Sequence, residues 1–443
     1  MRPLYFSLKV LIFQSIHLFF RKKKLVNPRK EFNAQTIFVV NHASAFMDPW
    51  VVAELQNPVL FFLTRGDIFK PWLKPITWAS HMIPIFRTKE NGADSAEKNE
   101  IIFQEVYRLL KKKKSIMIFG EGYTDDVFIR SLKPLKKGPA RIGFGAMVST
   151  NWELDIKIQC VGINYADPDA FRSDVLVSNS ETIHLKDYKA GYLENPSKTI
   201  NDLTKKITQL LRDQLTYLEN AKLTPLHNHI QSITKQGIAH DNNDRSIPLE
   251  KRWRYSQSLA HFINENYDAE DNKWLDLEQD LSSYFGLLEQ EKMKDKWIAK
   301  LQKKETLIDP LSYLYLLLGL PIFLVGAFHF ILPYLGLKRF VERKFKRRVF
   351  WSGIKMILGQ LIFAIYNIVL LFSLNAFLNL AENWMIWIYI IVVVPFLGLF
   401  AYNYYHKFLA IKSKLGLDKP LVEQLIQTRV ELQERIFTIV KLG

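Results

Sequence analysis

His42 and Asp48 stand with five residues between them in the stretch Asn41-His-Ala-Ser-Ala-Phe-Met-Asp-Pro49, just after an apolar run. They are the minimum parts for activating a hydroxyl. An imidazole takes the proton from an alcohol as its oxygen attacks a carbonyl. A nearby carboxylate holds the ring in one tautomer and stabilises the imidazolium that forms. Four more blocks follow. Ile83-Pro-Ile-Phe-Arg87 places an arginine at a strand exit, where its planar fork can grip a phosphate. Ile118-Phe-Gly-Glu-Gly-Tyr-Thr124 ends an apolar strand in Glu121 flanked by glycines. Glycines let backbone N–H groups approach a ligand, and the carboxylate can bind a hydroxyl or orient a cation. Leu132–Arg141, with Lys136 and Lys137, is a basic segment opening a small-residue helix, and a helix N-terminus beside lysines suits a phosphate. Val161-Gly-Ile-Asn-Tyr165 ends a further strand.

These blocks must be held by an α/β domain. From about residue 33 to 190, short β-type runs alternate with helical segments. The pattern predicts strands over Thr36–Val40, Val59–Thr64, Ile83–Phe86, Ser115–Phe119, Ile156–Tyr165 and Thr182–Leu185. It predicts a helix over Ser95–Lys113, where Ile102, Phe103, Val106, Leu109 and Leu110 share one face. The lysines 111–114 that follow read as a solvated helix end complementing the dipole. Residues 191–306 are charged and helically periodic, a helical extension.

The chain has 60 Lys and Arg against 44 Asp and Glu, which calls for an acidic partner, a nucleic acid or an anionic membrane face. The apolar residues decide between them. Leu311–Leu337, Phe350–Phe372 and Trp384–Tyr402 are long apolar stretches within a membrane region, 307–405, and nucleic acid is set aside. Lys338–Arg348 carries seven basic residues and one Glu, so the positive-inside rule places it in the cytoplasm. A catalytic domain facing the same cytoplasm then needs Leu311–Leu337 to be a re-entrant or interfacial hairpin bent near Pro321, with outward and return spans after it. A simple span over 311–337 is the alternative. Residues 1–32 read as a membrane-surface helix, Leu4–Phe20, closed by the basic cluster Arg21–Lys24. Residues 406–443 read as a cytoplasmic amphipathic tail. The membrane is of the inner, cytoplasmic or endoplasmic-reticulum type.

In order and spacing the blocks resemble the PlsC-type glycerolipid acyltransferase family over about residues 33–190. The resemblance implies an acyltransferase domain with a mixed sheet flanked by helices. It makes His42 the general base and Asp48 its orienter, with Arg87 on the acceptor phosphate. Glu121, Gly122 and Thr124 would lie on the acceptor side, and Val161–Ile163 on the acyl-chain side. Three departures stand out. Five residues rather than four separate His42 from Asp48, as in the branch with fungal-type glycerol-3-phosphate and dihydroxyacetone-phosphate acyltransferases. Gly120 replaces the usual proline. Asp125 and Asp126 stand where an arginine is usual, so Arg130, Lys136 or Lys137 is expected to supply the charge.

The chemistry so implied is direct acyl transfer from acyl-CoA or acyl-ACP, as co-substrate, to a hydroxyl of glycerol 3-phosphate or 1-acyl-glycerol 3-phosphate. No cofactor and no metal are called for: His227 and His229 are close, with no Cys or acidic pair to complete a site. Cys160 reads as a small core residue, and His81 and His184 have no evident acidic partner. Two alternatives keep the fold: an O-acyltransferase acting on a lysophospholipid or amino-acid lipid, and a non-catalytic lipid-binding scaffold.

Overall fold

The computed structural model describes residues 3–28, 35–56, 59–86, 94–240, 242–303, 310–379, 382–415 and 419–441. The chain divides into two compact units, Met1–Thr224 with Arg245–Glu265, and Pro225–Asp244 with Asn266–Gly443.

The first unit is built on a seven-stranded sheet of order β1-β7-β6-β2-β5-β3-β4. Its strands are β1 (Phe20–Val26), β2 (Thr36–Val40), β3 (Leu60–Arg65), β4 (Met82–Ile85), β5 (Ser115–Phe119), β6 (Lys157–Tyr165) and β7 (Ser173–His184). β6 and β7 pair antiparallel, and the other neighbours pair in parallel. The central strand β2 is buried along its whole length, as a strand covered on both faces must be. Ile37 and Val39 point into a cluster with Val106 and Leu110 of the helix Asp94–Lys111, Ile142 and Met147 of Gly138–Ser149, and Leu203 and Ile207 of Pro196–Arg212. Cys160 lies in that core, where burial pushes its thiol up to about 12.

The sheet begins earlier than the pattern predicts. Phe20–Val26 reads as a basic cluster because Arg21–Lys24 are four basic residues in a row, yet it forms the edge strand β1. Those charges have partners: Lys23 Nζ lies 2.8 Å from Glu54 Oε1, and Arg21 grips Asp174. The helix Pro3–Phe19 precedes it, with Tyr5, Ile16 and Phe19 buried and Phe6, Leu11, Phe13 and Leu18 exposed. The domain also runs past residue 190, since Pro196–Arg212 completes the core.

In the second unit, helices 272–290, 295–302 and 419–439 enclose a buried carboxylate. Arg429 donates from Nε to Asp295 Oδ1 (2.8 Å) and from Nη2 to Oδ2 (3.3 Å) and the Ile233 carbonyl (2.9 Å). Three helices, Pro310–Lys344, Arg348–Leu378 and Asn383–Lys412, are long and apolar enough to cross a membrane. The predicted bend is absent: Pro310–Lys344 is one helix of 35 residues with Pro321 and Pro333 inside it. Apolar helices tolerate internal proline where neighbouring groups re-satisfy the backbone.

Candidate active site

Where β2 ends, the chain turns at Asn41–Phe46 into the helix Met47–Leu55. The extra residue between His42 and Asp48 is taken up in that turn, where Ala45 adopts φ +40° in the left-handed region. Asp48 then lies in the first helical turn, fully buried, with Oδ2 2.8 Å from His42 Nδ1. The stretched spacing therefore still closes the pair. Oδ2 also accepts the Ser44 N–H (2.8 Å), and Oδ1 accepts the Tyr165 hydroxyl (2.9 Å). An ionised carboxylate only accepts, so the ring proton belongs on Nδ1 and the Nε2 lone pair is left to receive a proton. The imidazole stacks on Phe119 at 3.9 Å between ring centroids, which fixes its plane.

Strand ends converge here because β2, β3, β4, β5 and β6 all run the same way, and ligands bind beyond the carboxyl ends of such strands. Asn41 ties β2 to β6, accepting from the Ile163 N–H at 2.8 Å and donating to its carbonyl at 3.3 Å. From the end of β5, Glu121 accepts the N–H of His42 on Oε1 (2.6 Å) and of Lys133 on Oε2 (3.0 Å). Burial pushes its carboxyl up, against those two bonds. Gly122 has φ +79°, which only glycine adopts freely, and closes the turn with its N–H on the Phe119 carbonyl. Gly120 donates its N–H to the Val40 carbonyl at 3.2 Å, a bond that proline there would lack. A small cleft is lined by Asn41, His42, Glu121, Asp125, Val127 and Ser131, among others.

Glu121 lines the cleft and braces two loops through the backbone N–H groups of His42 and Lys133. Arg130 is buried, its Nη1 and Nη2 on the carbonyls of Tyr165 (3.3 Å) and Ala166 (3.4 Å), and burial pushes it down to about 10. It ties loops together behind the site. Lys136 and Lys137 are exposed where the helix Gly138–Ser149 begins. Thr124 is buried, and so are Val161 and Ile163, which lie in the sheet and not on an open acyl-chain surface. Arg87 lies outside the described residues. The strand before it is pinned by Asn99, which accepts the Phe86 N–H (2.9 Å) and donates to its carbonyl (2.7 Å).

Among the remaining histidines, His81 is sandwiched between Tyr5 and Phe61. His184 does have an acidic partner, Asp155 at 3.1 Å, because the antiparallel β6–β7 pair brings them together. They sit at the exposed start of β6, the far end of the sheet from His42. His229 stacks on Phe285, and burial pushes it down to about 4. The sequence reading missed Tyr165 and Asn41 as second supports of the pair, although both lie in the quoted blocks.

Residues 19–163 match the family model described as Acyltransferase. The match covers about a third of the chain and likens this segment to acyltransferase domains. It includes the His42–Asp48 pair, Glu121, strands β1 to β5 and β6 up to Ile163. Solved structures similar to the chain include the 1-acyl-sn-glycerophosphate (LPA) acyltransferase PlsC from Thermotoga maritima. Identity there is 14%, coverage 47% of this chain and 77% of that one, and the TM-score 0.34, too slight a likeness to carry an argument. No curated protein matches the sequence.

Proposed function

We propose that the protein is a membrane-bound glycerolipid O-acyltransferase. It moves a fatty acyl group from acyl-CoA or acyl-ACP to a hydroxyl of glycerol 3-phosphate or 1-acyl-glycerol 3-phosphate. The observation that carries the reading is the 2.8 Å contact between His42 Nδ1 and the buried Asp48, in a segment matching the acyltransferase family. Nε2 takes the acceptor's proton as its oxygen attacks the thioester carbonyl, and the tetrahedral adduct collapses with loss of the thiol. Asp48 faces the imidazolium with no other cation bonded to it among the described residues. Arg87, with Lys136 and Lys137, supplies positive charge for the acceptor phosphate.

Purified protein offered acyl-CoA or acyl-ACP is expected to turn over glycerol 3-phosphate or lysophosphatidate far better than a lyso-amino-acid lipid. Turnover of the amino-acid lipid alone would move the protein to the alternative acceptor class. No turnover with any acceptor would favour the scaffold.

The Arg429–Asp295 pair bears on topology. It joins a helix before the three apolar helices to one after them, so those two share a side of the membrane. An even number of crossings must lie between. With Lys338–Arg348 inside, Arg348–Leu378 crosses outward and Asn383–Lys412 returns, while Pro310–Lys344 packs against both, its His329 bonded to Asn367 and Tyr389. The acyltransferase domain then faces the cytoplasm. Single cysteines at 345 and 379 test this: only the second should label from outside intact cells, and labelling of the first would overturn it.

A further inference from the structure

β7 begins where β6 ends, because the two are antiparallel, and β1 begins beside β7. The first residues of β1 and β7 therefore lie along the same sheet edge as His42, at its outer end. One buried carboxylate stands there among four arginines. Asp174 accepts Arg21 Nε on Oδ1 (3.0 Å) and Arg21 Nη2 (2.6 Å) and Arg252 Nη2 (2.9 Å) on Oδ2. Arg252 is fully buried and its Nη1 has no hydrogen-bond partner. Arg245, at the surface, feels the charges of Arg21, Asp174, Arg252 and Arg172: its own desolvation first, then Arg21, hold its guanidinium below the usual range, Arg252 and Arg172 push the same way, and Asp174 opposes them. Arg172, half-buried, donates its N–H to the Phe19 carbonyl (2.6 Å) and Nη1 to that of Leu18 (3.5 Å).

Structure alone does not call for this many cations. Arg21 satisfies both oxygens of Asp174, and Arg252 already adds a second charge. Two more raise the mutual repulsion, which Asp174 opposes at Arg245. Guanidinium clusters of this kind are what planar, multidentate recognition of phosphate uses. We propose that Arg21, Arg172, Arg245 and Arg252 form a phosphate-binding site at the β1–β7 end of the sheet, separate from Arg87. Its ligand carries an anionic phosphate. The site adjoins the end of the helix Pro3–Phe19, whose exposed Phe13 and Leu18 suit a lipid surface, so a phospholipid headgroup and a free phosphate ester share the chemistry it recognises. The proposal does not depend on acyl transfer.

The test uses the full chain, in detergent and in nanodiscs. Melting temperature is followed against inorganic phosphate and glycerol 3-phosphate, with chloride at matched ionic strength. Binding is compared between phosphatidylcholine nanodiscs with and without phosphatidic acid. Wild type, Arg245→Gln, Arg172→Gln and the distant control Lys112→Gln are measured. Phosphate should raise the melting temperature of wild type and control, with about tenfold weaker apparent affinity in the two arginine variants. Response to phosphatidic acid alone assigns the lipid source, and response to the soluble esters assigns a free phosphate. If no phosphate species shifts the wild type, or if both variants respond as the control does, the proposal is overturned. Arg245→Gln should also be the more stable protein without phosphate, since it relieves repulsion.

Discussion

Two buried carboxylates, one in each unit, have nearly the same first partner and opposite uses. Asp48 accepts a tyrosine hydroxyl at 2.9 Å, and Asp295 accepts another, from Tyr284, at 2.8 Å. Beyond that they diverge. Asp295 meets the guanidinium of Arg429 on both oxygens and the amide of Asn242. Its charge is answered by a permanent cation, and the result is a fastening between helices. Asp48 bonds to a hydroxyl, a backbone N–H and His42. Its charge is answered in full only when the imidazole is protonated. A buried carboxylate held by neutral donors is poised to stabilise a transient cation, and one already paired is not.

That contrast can be broken by substitution. Asp48→Asn should lower kcat by about 10²–10⁴-fold, the range of general-base catalysis, with little change in melting temperature. Arg429→Ala should do the reverse. Leaving Asp295 buried without its cation should cost about 3–5 kcal/mol in chemical denaturation, while kcat of the folded fraction holds. Tyr165→Phe and Tyr284→Phe each remove one hydroxyl bond of about 1 kcal/mol. The first should appear as a several-fold fall in kcat at constant KM, the second as a lower melting temperature alone. Equal kcat effects would erase the distinction.

Asp174 extends the comparison to a carboxylate with two arginines, and its expected effect is the smallest. Burial pushes its carboxyl up, but the bonds from Arg21 and Arg252 outweigh it and hold it below the ordinary range. A depressed carboxyl contributes stability that is present above its unfolded value, near pH 4, and lost as pH falls through its folded value. Thermal melts taken downward from about pH 4 should show a loss in wild type that Asp174→Asn lacks.

Sequence shows most where chemistry sits in contiguous residues. The runs Thr36–Val40 and Ser115–Phe119 are strands as their apolar composition predicts, and each hands its block to the site. The His42–Asp48 contact was legible except for its geometry, since nothing in the local pattern reveals that Ala45 takes a left-handed conformation. β1 was hidden because its basic residues find partners, Glu54 and Asp174, far along the chain. Glu121 shows the same limit. Its flanking glycines mark a special loop, but only the fold shows that its carboxylate reaches the N–H groups of His42 and Lys133. Pro321 misled for a different reason: proline breaks helices in water, and an apolar bundle relaxes that rule.

The central claim is that His42, set by Asp48, takes the acceptor's proton. Its most direct test is the rate of acyl transfer by purified His42→Ala beside wild type, with glycerol 3-phosphate or lysophosphatidate as acceptor and melting temperature measured in parallel. A loss of about a thousandfold with an unchanged melting temperature is the result predicted. Turnover comparable to wild type in a folded His42→Ala protein would contradict it.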